Sequence, residues 1–205
     1  MTELEKMLAG KIYDPTDEVL AKQRTKAHRL SKDYNDTYDD QEEKRQEILK
    51  ELIPGMGEGT YFQGPIQFDY GVNITCGKNC YANFNFVVLD TCHVTIGNDT
   101  FFGPNCSLVT PIHPFLPEER KIRYKESGES YDLEYGKPIV IEDDCWLASN
   151  VTVCGGVTIG KGSIIGAGSV VTKDIPAGSL AAGNPCKVIR KITQEDSIQF
   201  KKELF

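Results

Sequence analysis

The sequence predicts a mainly β protein: a parallel coil of six-residue repeats under an N-terminal helical cap, with a long excursion loop at about 109–138 and a short C-terminal helix. Three observations carry this. Every sixth residue from Ile141 is aliphatic (Ile141, Leu147, Val153, Ile159, Ile165, Val171), and four residues after each of the first five stands a compact side chain (Cys145, Val151, Val157, Ser163, Ser169). The same cycle runs upstream through Ile74, Cys80, Phe86 and Cys92, slips by four, and resumes at Ile96, Phe102 and Leu108. Helical spacing is concentrated in about the first 53 residues. With 40% apolar residues overall, six aliphatics at one phase are a rare draw, so the period is a structural unit.

Each element follows from local chemistry. Asp14-Pro15-Thr16-Asp17 reads as a helix start, followed by Val19, Leu20, Ala27 and Leu30 at rough helical spacing until Asn35-Asp36. A second helix spans about Asp40 to Ile53, apolar at Ile48, Leu49, Leu52 and Ile53, and Pro54-Gly55 stops it. Residues 1–55 thus form a cap and 56–190 the coil. In such a coil one large aliphatic and one small residue point inward per hexad, while Gly, Asn or Asp takes the corner. Three hexads close a turn, and stacked turns satisfy each other's backbone hydrogen bonds. Cys80, Cys92, Cys106 and Cys145 fall at inward phases. Between Leu108 and Ile139 the pattern stops for a charged, Pro- and Gly-containing stretch, long enough to suggest a functional loop. Residues 191–205 read as a terminal helix capped by Thr193.

A net charge of −7 argues against nucleic acid and against an anionic membrane surface, both of which need clustered Lys and Arg. No apolar run approaches the ~20 residues of a membrane span, and MTELEKMLAG does not read as a signal peptide, so a cytoplasmic location is expected. Seven cysteines are an odd count in a chain too long to need stapling, so free thiols are expected. Cys76-x3-Cys80 lacks the second ligand pair of a zinc site and reads as buried packing.

Three histidines are present. His28 falls within a helix as a solvated residue, and His93 sits at the slip in the coil as a structural or surface one. His113 stands where the coil opens into the loop, in Pro111-Ile112-His113-Pro114, where the prolines restrict the backbone on both sides. A neutral imidazole held there suits proton abstraction near pH 7.

GKIYDPTDEVL (10–20), YANFN (81–85), VTIG (94–97), PNCSLVTPIHP (104–114), EYGKPI (134–139), DCWLASNVTVCGGVTIG (144–160), IIGAGSVVTKDIP (164–176) and AAGNPCKVIR (181–190) together span most of the chain. In these stretches it resembles the hexapeptide-repeat acetyltransferases, and within them the sugar O-acetyltransferases of the maltose and galactoside type. The resemblance implies a left-handed parallel β-helix, a homotrimer with sites between subunits, acetyl-CoA as co-substrate, a small sugar acceptor, and no metal.

The resemblance also implies roles. His113 would be the general base and Asn83 an oxyanion donor, with direct attack of the acceptor and no acetyl-enzyme. Asp14 and Arg24 of the cap, Asp69 and Tyr81 of the first coil and Glu134 of the loop would bind the acceptor. Trp146, Ser149, Gly166 and Ala167 would line the pantetheine groove, and Thr172, Lys173, Lys187 and Arg190 its nucleotide end. A glutamate at 134, where the galactoside branch tends to be apolar, leans toward a glucose- or maltose-type acceptor. Alternatives are another hydroxyl acceptor (a galactoside, lipo-oligosaccharide, serine or antibiotic) or a non-catalytic scaffold. A zinc carbonic anhydrase on this scaffold would need three histidines, and the coil holds two.

Overall fold

A flat strand of two to four residues cannot hold itself, so each hexad here lies against the hexads of neighbouring turns. In the computed structural model, which describes residues 1–204, these strands stack into the three faces of a parallel prism. The first face runs Gly55–Met56, Ile74–Cys76, Val94–Ile96, Ile139–Ile141, Thr158–Ile159. The second runs Tyr61–Phe62, Tyr81–Ala82, Phe101–Phe102, Trp146–Leu147, Ile164–Ile165, Ser179–Ala182, and the third Ile66–Phe68, Phe86–Leu89, Ser107–Val109, Thr152–Cys154, Val170–Val171. Lys187–Lys191 folds back antiparallel on Ser179–Ala182 and ends the second face.

The register refines the hexad reading. Ile96, Ile141 and Ile159 stack in one inward column, Phe102, Leu147 and Ile165 in a second, Leu108, Val153 and Val171 in a third. Upstream, their partners are Cys76, Ala82 and Val88, not Ile74, Cys80 and Phe86. Ile74 stacks instead on Val94, in the companion column expected to hold compact residues. The slip is a two-residue widening of the third corner, where the third face turns into the first; it recurs between Phe68 and Cys76 and between Val88 and Ile96. Volume is conserved by exchange. Phe86 fills a slot held in later turns by Cys106, Val151 and Ser169, while Ala82 and Cys76 occupy slots held later by large residues, and the Phe86 ring lies 4.8 Å from that of Phe102. Cys92 is therefore a corner residue, not a coil-interior one; it is buried, with its thiol 3.7 Å from the Leu8 carbonyl of the cap.

Corners repeat as strictly as faces. Asn79, Asn85, Asp99, Asn105, Asp144 and Asn150 all take positive φ between 53° and 62°, a conformation that short polar side chains tolerate. At the second corner three of them form a ladder, Asn85 Nδ2 donating to Asn105 Oδ1 at 2.8 Å and Asn105 Nδ2 to Asn150 Oδ1 at 3.1 Å. The widened third corner is pinned by Asp90, which is fully buried and accepts from the backbone N–H of Tyr70 at 2.9 Å and of Asn73 at 3.3 Å. Burial holds its carboxyl at about 6, although the backbone donors pull the other way.

Three helices form the cap: α1 (Glu3–Leu8), α2 (Glu18–Asn35) and α3 (Glu42–Leu52). The N-cap of α2 is Asp17, the last residue of the expected Asp14–Asp17 start, and its carboxylate accepts from Val19 and Leu20. Leu20 and Ala27 are buried as expected, Leu30 is partly buried, and Val19 is 52% exposed. Tyr34, Leu49, Leu52 and Ile53 join the coil's first turn in a single core. Two polar pins fix the docking. Asn35 donates to Ile66 O and accepts from Ile66 N, and Arg45, 3% exposed, donates to Phe62 O and Gln63 O.

The excursion leaves after Val109, and its two ends pair antiparallel, Pro111–Ile112 on Tyr135–Gly136, with the hairpin Arg123–Tyr124/Ser130–Tyr131 between them. The C-terminal segment, expected as a helix, forms 3₁₀ turns instead (Gln194–Asp196, Ile198–Phe200, Lys202–Leu204). Thr193 caps the first. The first two turns bury no residue, so no apolar face is present to sustain an α-helix there.

Asn105→Ala removes both ladder bonds and leaves a Cβ with no polar group at positive φ, so it is expected to cost about 1–3 kcal/mol in urea unfolding, with Asn105→Gly recovering the backbone part. Asp90 binds its proton more tightly in the folded chain than in the unfolded one. As pH rises from about 4 to about 6, the wild type should therefore lose stability relative to Asp90→Asn, and the gap should level above that, as read from urea midpoints.

Candidate active site

Pairing of Pro111–Ile112 with Tyr135–Gly136 sets His113 beside the residues that precede Tyr135. The His113 Nδ1 lies 3.2 Å from the Leu133 carbonyl and 3.5 Å from Asp132 Oδ2, and its Nε2 lies 3.6 Å from Glu134 Oε2. A carbonyl only accepts, so the bond to Leu133 needs the proton on Nδ1; in the neutral ring that leaves the Nε2 lone pair toward Glu134. The ring is 44% exposed and open to a ligand.

The cap completes this basin. The segment joining α1 to α2 lies along the returning loop strand, Tyr13 N donating to Glu134 O at 3.0 Å, and the buried Tyr13 hydroxyl donates to Glu134 Oε1. Burial raises the Glu134 carboxyl above its ordinary value, opposed by the Tyr13 hydrogen bond and by His113. Arg24 reaches down from α2 to donate to Tyr70 OH at 3.0 Å and Pro15 O at 3.2 Å. Asp69 is raised by burial, offset in part by His28, whose Nε2 stands 3.6 Å away. His28, expected merely to be solvated, is half-exposed and faces this carboxylate. Asp14 accepts from the Thr16 N–H and hydroxyl and pairs with Lys125 of the loop hairpin at 2.6 Å. Burial opposes its ionisation, but Lys125 and Thr16 outweigh that and hold the carboxyl low.

Tyr81 and Asn83 lie elsewhere. Tyr81 belongs to an outward aromatic column on the second face with Tyr61, Phe101 and the half-exposed Trp146. Tyr81, Asn83, Phe101, Gly103 and Trp146 line a shallow groove of about 350 Å³. Asn83 Oδ1 accepts from Phe84 N at 2.8 Å, which commits the oxygen and leaves the amide NH2 as the donor end. Ser149 and Gly166-Ala167 stack above Asn83 on the second corner. Gly103 is required there, since a Cβ would come within 2.7 Å of Ser149 N. Thr172 and Lys173 are exposed at the third corner, the loop's side of the prism, and Lys187 and Arg190 are exposed on the closing strand. Arg190 is engaged by Asp196 at 2.6 Å.

Within one chain, then, Asp14, Arg24, Asp69, Glu134 and His113 gather at the third corner, while Tyr81 and Asn83 stand at the second face and corner. Sequence reasoning passed over Tyr13, Asp132 and Lys125; only the adjacency of Tyr13 to Asp14 and of Asp132 to Glu134 hinted at them. Among the described residues no three His, Cys, Asp or Glu side chains are grouped to hold a metal ion, and no helix is long and apolar enough to cross a membrane.

The maltose acetyltransferase hexapeptide capping motif matches residues 6–57, and the bacterial transferase hexapeptide repeat matches 138–173. The galactoside O-acetyltransferase of Escherichia coli (strain K12) is 39% identical over 99% of this chain and 96% of its own length. A crystal structure of a maltose O-acetyltransferase from Clostridium difficile 630 superposes with a TM-score of 0.87 at 42% identity, covering 95% of this chain and 99% of that one. A Vibrio cholerae hexapeptide-repeat acetyltransferase complexed with acetyl-coenzyme A gives 0.82 at 34%, covering 95% and 100%. The capping motif accounts for the helices over the coil's first turn, and agreement over nearly the full length leaves one assignment: the chain belongs to the maltose and galactoside O-acetyltransferase family, and its coil is the left-handed parallel β-helix of those enzymes.

Proposed function

We propose that the protein transfers acetyl from acetyl-CoA to a hydroxyl of a maltose- or glucose-type sugar, with His113 as general base. The observation that carries this is the Leu133 carbonyl on His113 Nδ1, which leaves Nε2 as a proton acceptor inside a basin of Asp14, Asp69 and Glu134. Such carboxylates suit a polyhydroxylated acceptor, whose hydroxyls each need a partner once out of water. The acceptor hydroxyl gives its proton to Nε2 as its oxygen attacks the thioester carbonyl carbon. The tetrahedral oxyanion then collapses with loss of the C–S bond, and the departing thiolate takes the proton from the imidazolium. Six of the seven thiols are buried, consistent with direct attack rather than an acetyl-enzyme.

The second-face groove, walled by Tyr81, Phe101 and Trp146, suits the slender pantetheine arm, and the Vibrio relative's complex with acetyl-CoA supports that ligand. Lys187 and Lys173 would meet its phosphates, with Arg190 once released from Asp196. Since His113 and Asn83 stand at different corners of one chain, a site using both is completed by a second copy, in keeping with a homotrimer.

His113→Ala should lower kcat about 10²–10⁴-fold with acetyl-CoA binding unchanged, read by CoA release with glucose and maltose and by calorimetry. Full activity would sink this reading. Subunit mixing tests the shared site: His113→Ala and Asn83→Ala, each nearly inactive alone, should recover about a quarter of wild-type activity when refolded together, whereas a site within one chain would recover none.

A further inference from the structure

We propose that Tyr13 is a positioning residue for acceptor recognition: by donating to one oxygen of Glu134 it holds the other beside His113 Nε2, so that the site selects acceptors carrying two neighbouring hydroxyls. One hydroxyl gives its proton to Nε2 while the next donates to Glu134 Oε2. The 3.6 Å between those two atoms is too long for a direct hydrogen bond and leaves both free for ligand. Neighbouring hydroxyls of a sugar ring lie about 3 Å apart, close enough for one to reach Nε2 while the next reaches Oε2. The inference rests on His113 as the base.

Packing alone does not account for the tyrosine. Tyr13 is 2% exposed, and its hydroxyl bonds only to Glu134 among the described residues. Burying a phenol against a carboxylate desolvates both, a cost that phenylalanine filling the same space would avoid. The groups facing Glu134 from the packed elements are Tyr13 of the cap, Asp69 and Tyr70 of the first coil, and His113 and Asp132 of the loop, while Arg24 is engaged by Tyr70 and Pro15. Apart from His113, Tyr13 is the only one of these that both bears on Glu134 directly and favours its ionised form. Without the tyrosine hydroxyl the Glu134 carboxyl rises further, so the acid limb of acceptor kcat/KM moves to higher pH.

The test is a double-mutant cycle with Tyr13→Phe and Glu134→Gln. For a sugar acceptor, Tyr13→Phe should raise KM about tenfold with the acetyl-CoA KM unchanged, and should erase the preference over the analogue lacking the neighbouring hydroxyl. In the Glu134→Gln background it should add less than about twofold. In parallel, the Glu134 carboxyl is titrated by carbon-13 NMR in the ligand-free protein, its resonance assigned by loss in Glu134→Gln. Tyr13→Phe should raise its midpoint by removing the hydroxyl donor. The NMR titration needs no acceptor. If the wild type acetylates no sugar, the proposed function fails while the Tyr13–Glu134 coupling is still decided. Tyr13→Phe effects that persist in full beside Glu134→Gln, or an unchanged midpoint and unchanged acceptor KM, overturn the proposal.

Discussion

Registration of one turn of the coil upon the next is the constraint on which everything else depends. A strand such as Trp146–Leu147 has no stability of its own; it exists because Phe101–Phe102 lies on one side and Ile164–Ile165 on the other. Every turn must therefore superpose on its neighbours at faces and corners alike. The corners accordingly carry Asn, Asp or Gly at positive φ, and the interior admits one large and one compact side chain per hexad. The exchange of Phe86 for Ala82 shows the condition to be one of total volume within a rung, with residue identity secondary.

That rigidity also places the His113 basin. Irregular chain can leave the prism only where a turn already ends, and it leaves at the corner widened by Asp90 to His93. Because Val109 and Ile139 are both locked in coil strands, the excursion is anchored at its two ends, and Ile112 and Tyr135 pair directly across it. His113 is thus one residue beyond a fixed rung. The cap adds Tyr13, Asp14 and Arg24, so three segments distant in sequence meet around one imidazole. Their carboxylates are sorted by environment: burial lifts Glu134 and Asp69, while Lys125 holds Asp14 low.

What could be read from the residues follows from the same physics. A period survives in one dimension, so the coil, its excursion and the place of His113 were legible from Leu108 onward. The widened corner was not, because Ile74 and Cys76 are both apolar and a two-residue insertion between two inward columns looks like a change of phase. Contacts such as Tyr13 with Glu134 or Lys125 with Asp14 join segments more than a hundred residues apart with no shared period, and the sequence holds no record of them. Val19 misled because a lone apolar residue on a helix is no guide to the face that docks; Asn35 and Arg45 decide that face through backbone hydrogen bonds.

A stack of parallel turns has no natural length, since each open end offers a row of unpaired peptide groups to whatever strand arrives next. At the lower end α2 and α3 lie over the first turn and share its core. At the upper end Lys187–Lys191 runs backward, its five residues all exposed and three of them cationic. Reversed polarity and like charge make a poor template for another parallel turn. On the second face this one short strand therefore stands between a discrete molecule and an amyloid-like run of further turns built by the same interactions.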